Sequence, residues 1–348
     1  MWFSLIVIVV LMLAVIFVNG WTDAPNAIAT AVSTRVITPA AAVKMAVVMN
    51  FLGVLIMTVL SPKVADTLSK MIVINPGQEK DALVVLAAAM FSIVIWATAA
   101  WYFGIPTSES HALIAGVTGA AIGLAGGFDQ VSKEQWMLVL IGLLISSVLG
   151  FISGWISVKG IEIAFRKVKR RTADKVFHFG EMAAAAMMAF LHGAQDGQKF
   201  IGIFLLSIYY FRIAEPSSPF IVERMADGSF GVPWYLIVIC SVVMGLGTSV
   251  GGYRIIKAVG MDMVKLQKYQ GFASDMAASF CLLLSTLTGV PVSTTHTKTT
   301  AIMGVGASKR LSAVNWLVAR DMILAWVLTF PGCGLISFLM AKLFLKLF

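Results

Sequence analysis

Residues 19–26 read NGWTDAPN, and a related stretch, HGAQDGQK, occurs at residues 192–199. A second motif, PTSESH at residues 106–111, returns as PVSTTH at residues 291–296. Each motif occurs once per half, so one half of the chain is a duplicate of the other. Polar interruptions at equivalent places in two apolar halves are the strongest sequence indication of a transporter's binding site.

The composition is that of an integral membrane protein. Of the 348 residues 59% are hydrophobic and 12% are charged, whereas soluble domains carry about 25% charged residues. Apolar runs long enough to cross a bilayer occur at residues 2–18, 39–60, 82–104, 136–158, 233–250 and 313–341. The first run lacks a basic leader and continues into the first motif, so we interpret it as a retained span. The net charge of +9 is assigned to cytoplasmic loops, and no nucleic-acid partner is expected.

Loop charge predicts the topology. The basic loops 159–175 and 254–268 are expected on the cytoplasmic side, whereas 61–81 and 212–232, the latter with Glu215, Glu223 and Asp227, are expected outside. Each half then crosses about five times, and an odd number inverts the second copy. Both termini are expected outside the cell membrane.

The predicted fold is all-α, with two inverted-topology repeats, broken helices and re-entrant hairpins. We expect a first repeat at 1–160, a basic cytoplasmic linker at 161–180 and a second repeat at 181–348. The glycine-rich segment 105–127 does not favour a straight span, so a buried re-entrant hairpin is predicted there and at 290–306.

Asp23 and Asp196 each adjoin a long apolar run. An ionised carboxylate at membrane depth costs roughly 2.5–3.5 kcal/mol on insertion scales, so each must face protein, water or a cation. Neighbouring amides and helix interruptions at Gly20 or Gly193 would supply further oxygen ligands for a cation. The alternative is that both aspartates cap helix starts.

The second motif carries hydroxyl groups just after prolines. Hydroxyls and free N–H groups at the positive end of a helix dipole bind oxyanions. The alternative is helix capping and hydrogen bonding between helices. His111 and His296 could donate to the anion, relay a proton or tie the hairpin down by a buried hydrogen bond, and the structural role is favoured. Lys199 and Lys298 occur only in the second half and suit either snorkelling, a salt bridge or substrate contact.

At these motifs the chain resembles the PiT family of inorganic phosphate transporters, whose signature GANDVANA is matched by residues 20–27 and 193–200. Thr22 and Gln195 replace the asparagine before each aspartate, and Lys199 replaces the last asparagine of the second copy. The tail at residues 302–314 is also similar. The resemblance implies cation-coupled phosphate uptake.

We therefore predict a secondary transporter that imports inorganic phosphate with sodium or protons, and that is not an enzyme. The phosphate ligands are predicted to be Thr107, Ser108, Ser110, Gln195, Ser293, Thr294 and Thr295. The cation ligands are predicted to be Asp23, Asn26, Asp196 and Glu109, with Asp23, Asn26 and Asp196 holding sodium if sodium is the coupling ion. The partners are then phosphate, the coupling cation and the lipid bilayer, without a cofactor, and a homodimer is an open alternative. Other open alternatives are a permease for sulfate or another oxyanion, a passive channel, and an intramembrane hydrolase using Ser108 or Ser293.

Overall fold

The computed structural model describes residues 2–72, 75, 77–222, 224–225 and 228–347, so the predicted outward charges of Glu223 and Asp227 lie outside the described residues. The described chain is helical apart from loops and isolated β-bridges. Its first half contains α1 Trp2–Thr22, α2 Pro25–Ser33, α3 Pro39–Leu60, α4 Lys63–Ser69, α5 Glu79–Tyr102, α6 Glu109–Ala125 and α7 Lys133–Ala164. Its second half contains α8 Arg170–Ala214, α9 Trp234–Ser249, α10 Tyr253–Lys257 with a π-helical extension Ala258–Asp262, α11 Lys268–Thr288, α12 Thr294–Lys309 and α13 Trp316–Leu347.

The two halves repeat the same order of elements. The pair α1 and α2 corresponds to α8, and α3 to α7 correspond to α9 to α13 in sequence. The predicted linker is helical at both ends, because α7 ends at Ala164 and α8 begins at Arg170.

The helix break expected at Gly193 is absent. In the first half α1 continues through Gly20, and the helix breaks only before Pro25, the first residue of α2. Proline has no N–H group and disrupts a continuing helix. The equivalent position in the second half is Gln198, so α8 runs through the motif without interruption. The prediction of a break at Gly193 is therefore wrong, and the break predicted at Gly20 lies instead at residues 23–24.

The halves are intertwined at close helix contacts. A Cβ on Gly119 of α6 would lie 2.1 Å from the carbonyl oxygen of Gly334 in α13. At the symmetric contact, a Cβ on Gly304 of α12 would lie 2.0 Å from the carbonyl oxygen of Phe151 in α7. Likewise α1 packs on α9 and α3 on α8. Each half therefore completes its core with helices of the other.

The predicted hairpins are formed by helix pairs rather than by the glycine-rich segments alone. α5 ends at Tyr102, residues 105–108 are irregular, and α6 then runs as one buried helix through its glycines. In the second half α11, residues 289–293 and α12 repeat this arrangement. The glycines of α6 serve close packing, which offsets their low helix propensity.

The loops divide between two faces as their charges predict. On one face, a β-bridge joins Ile72 to Val131. On the other, Lys268 forms an ion pair with Asp174 at 2.9 Å, which links the two basic loops. The aromatic ring of Trp2 lies 6.5 Å from that of Phe220. The start of the chain is thus beside the 212–232 loop, and Leu347 lines a surface cavity with Phe3. Which face is cytoplasmic stays a prediction.

Among the described residues, six helical segments are long and apolar enough to cross a membrane, and the bent pair formed by α9 and the 253–262 helix would be a seventh. α8 is long enough, but the polar motif at 192–199 divides its apolar sequence. Apolar side chains such as Leu144 of α7 and Leu317 of α13 are exposed, as expected for helices that face lipid.

Candidate functional site

Four chain segments meet in the interior. They are the break between α1 and α2, the middle of α8, and the N-terminal ends of α6 and α12. The polar side chains that form the hydrogen bonds at this junction are at most 8% exposed. Burial of this many polar groups is tolerated only when they are paired or hold a ligand.

Asp23 is held by neutral groups. Its Oδ1 accepts hydrogen bonds from the hydroxyl of Thr295 and from Asn26 Nδ2, the latter at 2.5 Å. Asn26 also donates to Thr295 Oγ1 at 3.2 Å. Among the described residues no basic side chain forms a salt bridge with Asp23, because the nearby ammonium of Lys199 pairs with Asp196 instead.

Asp196 has charged and neutral partners. Lys199 Nζ lies 2.6 Å from its Oδ1. Its Oδ2 accepts from Asn19 Nδ2 at 3.2 Å and lies 3.3 Å from His192 Nε2. The Nδ1 atom of His192 lies 2.7 Å from Asn50 Oδ1 and donates to this carbonyl oxygen.

Thr294 connects the two carboxylates. Its hydroxyl oxygen lies 3.3 Å from Asp23 Oδ2 and 3.2 Å from Asp196 Oδ2. A hydroxyl has a single proton and can donate to only one of them at a time. Potential ligand atoms of Asp23, His192 and Asp196 all lie within 4.8 Å of one another. Two carboxylates at this spacing favour an added positive charge between them.

Several oxygen ligands near the carboxylates are unused. The buried Asn19 Oδ1 and Asn26 Oδ1 have no hydrogen-bond partner among the described residues. Glu109 Oε1 accepts from Thr22 at 2.9 Å, whereas its Oε2 is likewise unpartnered within the described chain. Carboxylate and amide oxygens are the ligands that hard cations prefer.

The hydroxyl cluster surrounds two helix N-termini. Ser108 caps α6 and accepts from the N–H group of His111 at 3.3 Å, and Ser293 caps α12 and accepts from that of His296 at 3.1 Å. The two serine hydroxyls are 2.8 Å apart. Capping and substrate contact are compatible at these serines, because a hydroxyl that accepts at a helix cap keeps its own proton as a donor; in this structure Ser108 donates that proton to Ser293.

The two histidines tie the hairpin helices to the opposite half. His111 Nδ1 lies 3.1 Å from the carbonyl oxygen of Trp326, and His296 Nδ1 lies 3.1 Å from Ser147 Oγ. Their rings are 4.4 Å apart, and His296 stacks on Trp326 at 3.6 Å. These contacts favour the positioning role.

Two predicted phosphate ligands lie apart from this network. Gln195 donates to the carbonyl oxygen of Val290 at 3.0 Å and accepts from Thr286 at 3.2 Å, so both ends of its amide are occupied. Thr107 is half-buried on the irregular segment before α6. Ser110, by contrast, lies within the network, because its hydroxyl accepts from Lys199 at 2.6 Å.

A second buried ionic cluster is not apparent from the repeated motifs. Lys298 of α12 forms a salt bridge with Asp275 of α11 and donates to Thr30 Oγ1 at 3.0 Å. Glu181 accepts from Thr34 at 2.7 Å nearby. The sequence signal that would have found Asp275 is a lone acidic residue within an apolar span.

This cluster lies between the site and a cavity on the face that carries the basic loops. α12 begins at the site with Thr294 and reaches the cavity at Gly306 and Lys309. The cavity has a volume of about 800 Å³, and its lining includes Lys265 and Arg310. Its basic side chains would attract an anion.

Comparison with known proteins identifies the family of this chain. Residues 19–337 match the phosphate transporter family. A Bacillus subtilis protein named "Probable low-affinity inorganic phosphate transporter" is 35% identical over 326 residues, which cover 94% of this chain and 92% of that protein. A Rhizobium meliloti protein of the same name is 35% identical over 321 residues, covering 92% and 90% of the two chains.

A solved structure described as "The sodium-dependent phosphate transporter" has the same fold. Its TM-score to this chain is 0.86, with 21% sequence identity and 99% of each chain covered. These relatives are transporters rather than enzymes. They leave the hydrolase alternative without support.

Proposed function

The chain belongs to the phosphate transporter family, and we propose that it imports inorganic phosphate in symport with cations. The observation that carries this proposal is the position of Thr294. Its hydroxyl contacts the two buried aspartates while its backbone begins α12 beside the paired serines. The proposed cation ligands and anion donors would then share one site.

Electrostatic repulsion between the carboxylates of Asp23 and Asp196 favours cation binding. Two unit charges 4.8 Å apart, the spacing that bounds the ligand atoms of Asp23 and Asp196, repel each other by about 3–4 kcal/mol at an effective dielectric constant near 20, and the ammonium of Lys199 beside Asp196 offsets only part of the total negative charge. A sodium ion or a proton between them relieves this repulsion. We assign Asp23, Asp196, Asn19 and Asn26 as its ligands, with Glu109 as the nearest further carboxylate.

The paired helix ends supply the phosphate site. α6 and α12 direct their N-termini toward the contact of Ser108 with Ser293. The free N–H groups and positive dipole ends of two helices favour a tetrahedral anion there. The hydroxyls of Ser110, Thr294 and Thr295, in the first turns of the same two helices, would complete its surroundings. Because the two cap hydroxyls touch, we expect phosphate to separate them when it binds.

Coupling also has an energetic reason. Moving an anion into a cell that is negative inside costs roughly 2.3 kcal/mol per charge per 100 mV. Cations that enter with phosphate offset this cost. In our proposal phosphate then leaves along α12, past Lys298 and into the basic cavity.

The test is transport by purified protein in proteoliposomes. We expect accumulation of labelled phosphate above equilibrium when either a sodium or a proton gradient is imposed, and none with both gradients collapsed. Sulfate in a parallel arm tests the oxyanion. Phosphate equilibration without accumulation in both gradient arms would establish a passive channel instead.

A further inference from the structure

The two halves use different side chains at one symmetric position. Asn26 follows Asp23 by three residues, and Lys199 follows Asp196 by three residues. Asn26 Nδ2 donates to Asp23 and to Thr295 of α12. Lys199 Nζ donates to Asp196 and to Ser110, the residue of α6 that corresponds to Thr295. A neutral amide in one half is thus replaced by an ammonium group in the other.

The surroundings of Lys199 are those of a bound cation. Its Nζ contacts Asp196 Oδ1, Ser110 Oγ and the carbonyl oxygen of Val292, each at 2.6 Å. A carboxylate, a hydroxyl and a carbonyl freed by an irregular segment are the oxygen ligands that transporters use for coupling ions. The lysine residue is 1% exposed, so it does not extend toward a membrane surface.

We infer that Lys199 is a built-in cation that fills the second of two symmetric cation positions. The charge of Asp196 is neutralised within the protein, and Asp23 is the carboxylate that requires a cation from solution. The transporter consequently uses one coupling cation fewer than two free aspartates would require. This inference rests on the proposed function, because it concerns the number of cations coupled to phosphate.

A phosphate-binding role for Lys199 is disfavoured by its hydrogen bonds. An ammonium group has three donors, and the three contacts to Asp196, Ser110 and Val292 use all of them. Binding phosphate through Nζ would therefore require one of these contacts to break.

The experiment measures the coupling ratio in proteoliposomes. With the membrane potential clamped at zero, the cation gradient that stops net phosphate flux is determined for a series of phosphate gradients. The slope of the logarithmic plot gives the number of cations per phosphate. We expect Lys199→Asn, which copies Asn26, to raise this number by one. The double variant Asp196→Asn/Lys199→Asn removes both charges and should return the number to the wild-type value.

The mirror variant Asn26→Lys supplies an independent test. It places an ammonium beside Asp23, and we expect the number of coupled cations to fall by one. Lys70→Asn is the control, because Lys70 pairs with Asp66 in a partly exposed helix–loop region away from the site; its ratio should equal that of the wild type.

An unchanged ratio in Lys199→Asn, with weakened phosphate affinity, would overturn the inference and make Lys199 a phosphate ligand. If Lys199→Asn does not fold, the other two variants decide. The inference would be overturned by a wild-type ratio in Asn26→Lys, or by a ratio that differs from the wild-type value in Asp196→Asn/Lys199→Asn. Wild-type protein without any cation-driven uptake would instead contradict the proposed function, so the two failures are distinguishable.

Discussion

Ser108 and Ser293 occupy the same position in the two halves, 185 residues apart, and their hydroxyl oxygens lie 2.8 Å from each other. Two equivalent residues can touch only where the axis that relates the halves passes between them. His111 and His296 are also separated by 185 positions, and their rings are 4.4 Å apart beside the same axis. A ligand held by these serines is therefore shared equally by both halves.

Alanine at Ser108 or Ser293 should weaken phosphate binding. A hydrogen bond to a charged group contributes about 1.5–3 kcal/mol, which corresponds to roughly a ten- to hundred-fold loss of affinity. Loss of the N-cap should also lower the free energy of unfolding by about 1 kcal/mol. Equilibrium binding of labelled phosphate to purified protein measures the first effect, and thermal unfolding measures the second.

Ser207→Ala is the matched control for these variants, since Ser207 is buried but donates only to Ile203 of its own helix at 2.9 Å. Wild-type phosphate affinity in both cap variants would remove these serines from the anion site.

Asp23→Asn should uncouple transport while the protein still folds. The amide retains the shape and one oxygen ligand but removes the charge that we propose binds the cation. Removal of a buried charge held by neutral partners should not reduce stability. Phosphate uptake should stop responding to the imposed cation gradient. Phosphate uptake that is still driven by the cation gradient at near the wild-type rate would refute the assignment of Asp23 as a cation ligand.

Asp196→Asn should behave differently, because it leaves the ammonium of Lys199 buried without its partner at 2.6 Å. Breaking a buried pair in this way costs about 3–5 kcal/mol. We expect a marked fall in thermal stability that the second substitution Lys199→Asn partly reverses.

The repeated motifs were sufficient to predict the helical class, the inverted halves and the carboxylates and hydroxyls that meet at the centre. Lys298 was recognised as a residue of the second half alone, with a salt bridge among its expected roles, but its partner Asp275 escaped this reasoning because the equivalent residue 185 positions earlier is Met90, buried in an apolar cluster. A residue present in one half alone gives no repeat to recognise. The absence of a break at Gly193 depended on one residue, the proline missing from α8.

The buried pair of Asp275 and Lys298 should be important for stability. Both side chains are fully buried, so Asp275→Asn leaves an isolated ammonium and should lower the free energy of unfolding by about 3–5 kcal/mol. Asp275→Asn/Lys298→Met should recover much of this loss. The exposed pair Asp174–Lys268 is the control, because Asp174→Asn should change stability by about 1 kcal/mol or less. Equal effects at both pairs, measured by unfolding in detergent, would contradict this.

Gly119→Ala tests the close contact between α6 and α13. Its Cβ would lie 2.1 Å from the carbonyl oxygen of Gly334, and forced separation of packed helices should cost about 1–3 kcal/mol. Gly160→Ala is the control, because no atom beyond the neighbouring residues and backbone of its own helix lies within 4 Å of a Cβ built there. That substitution should instead stabilise α7 by about 0.5–1 kcal/mol. Thermal unfolding of the two variants should therefore shift in opposite directions.

Orientation in the membrane can be tested with single cysteines. The three native cysteines, Cys240, Cys281 and Cys333, are buried and unpaired, so a variant with alanine at all three provides the background. Asp81→Cys and Ser217→Cys lie on exposed positions of the face predicted to be outside, and Lys167→Cys and Lys265→Cys lie on exposed positions of the basic face. We expect an impermeant thiol reagent to label the first two in intact cells and the last two only after the cells are opened. The reason is the excess of lysine and arginine on the second face, since short loops rich in these residues remain cytoplasmic.

Labelling of the Asp81 and Lys167 positions from the same side would contradict the inverted arrangement. Labelling with the two sides exchanged would reverse the predicted orientation and leave the fold unchanged.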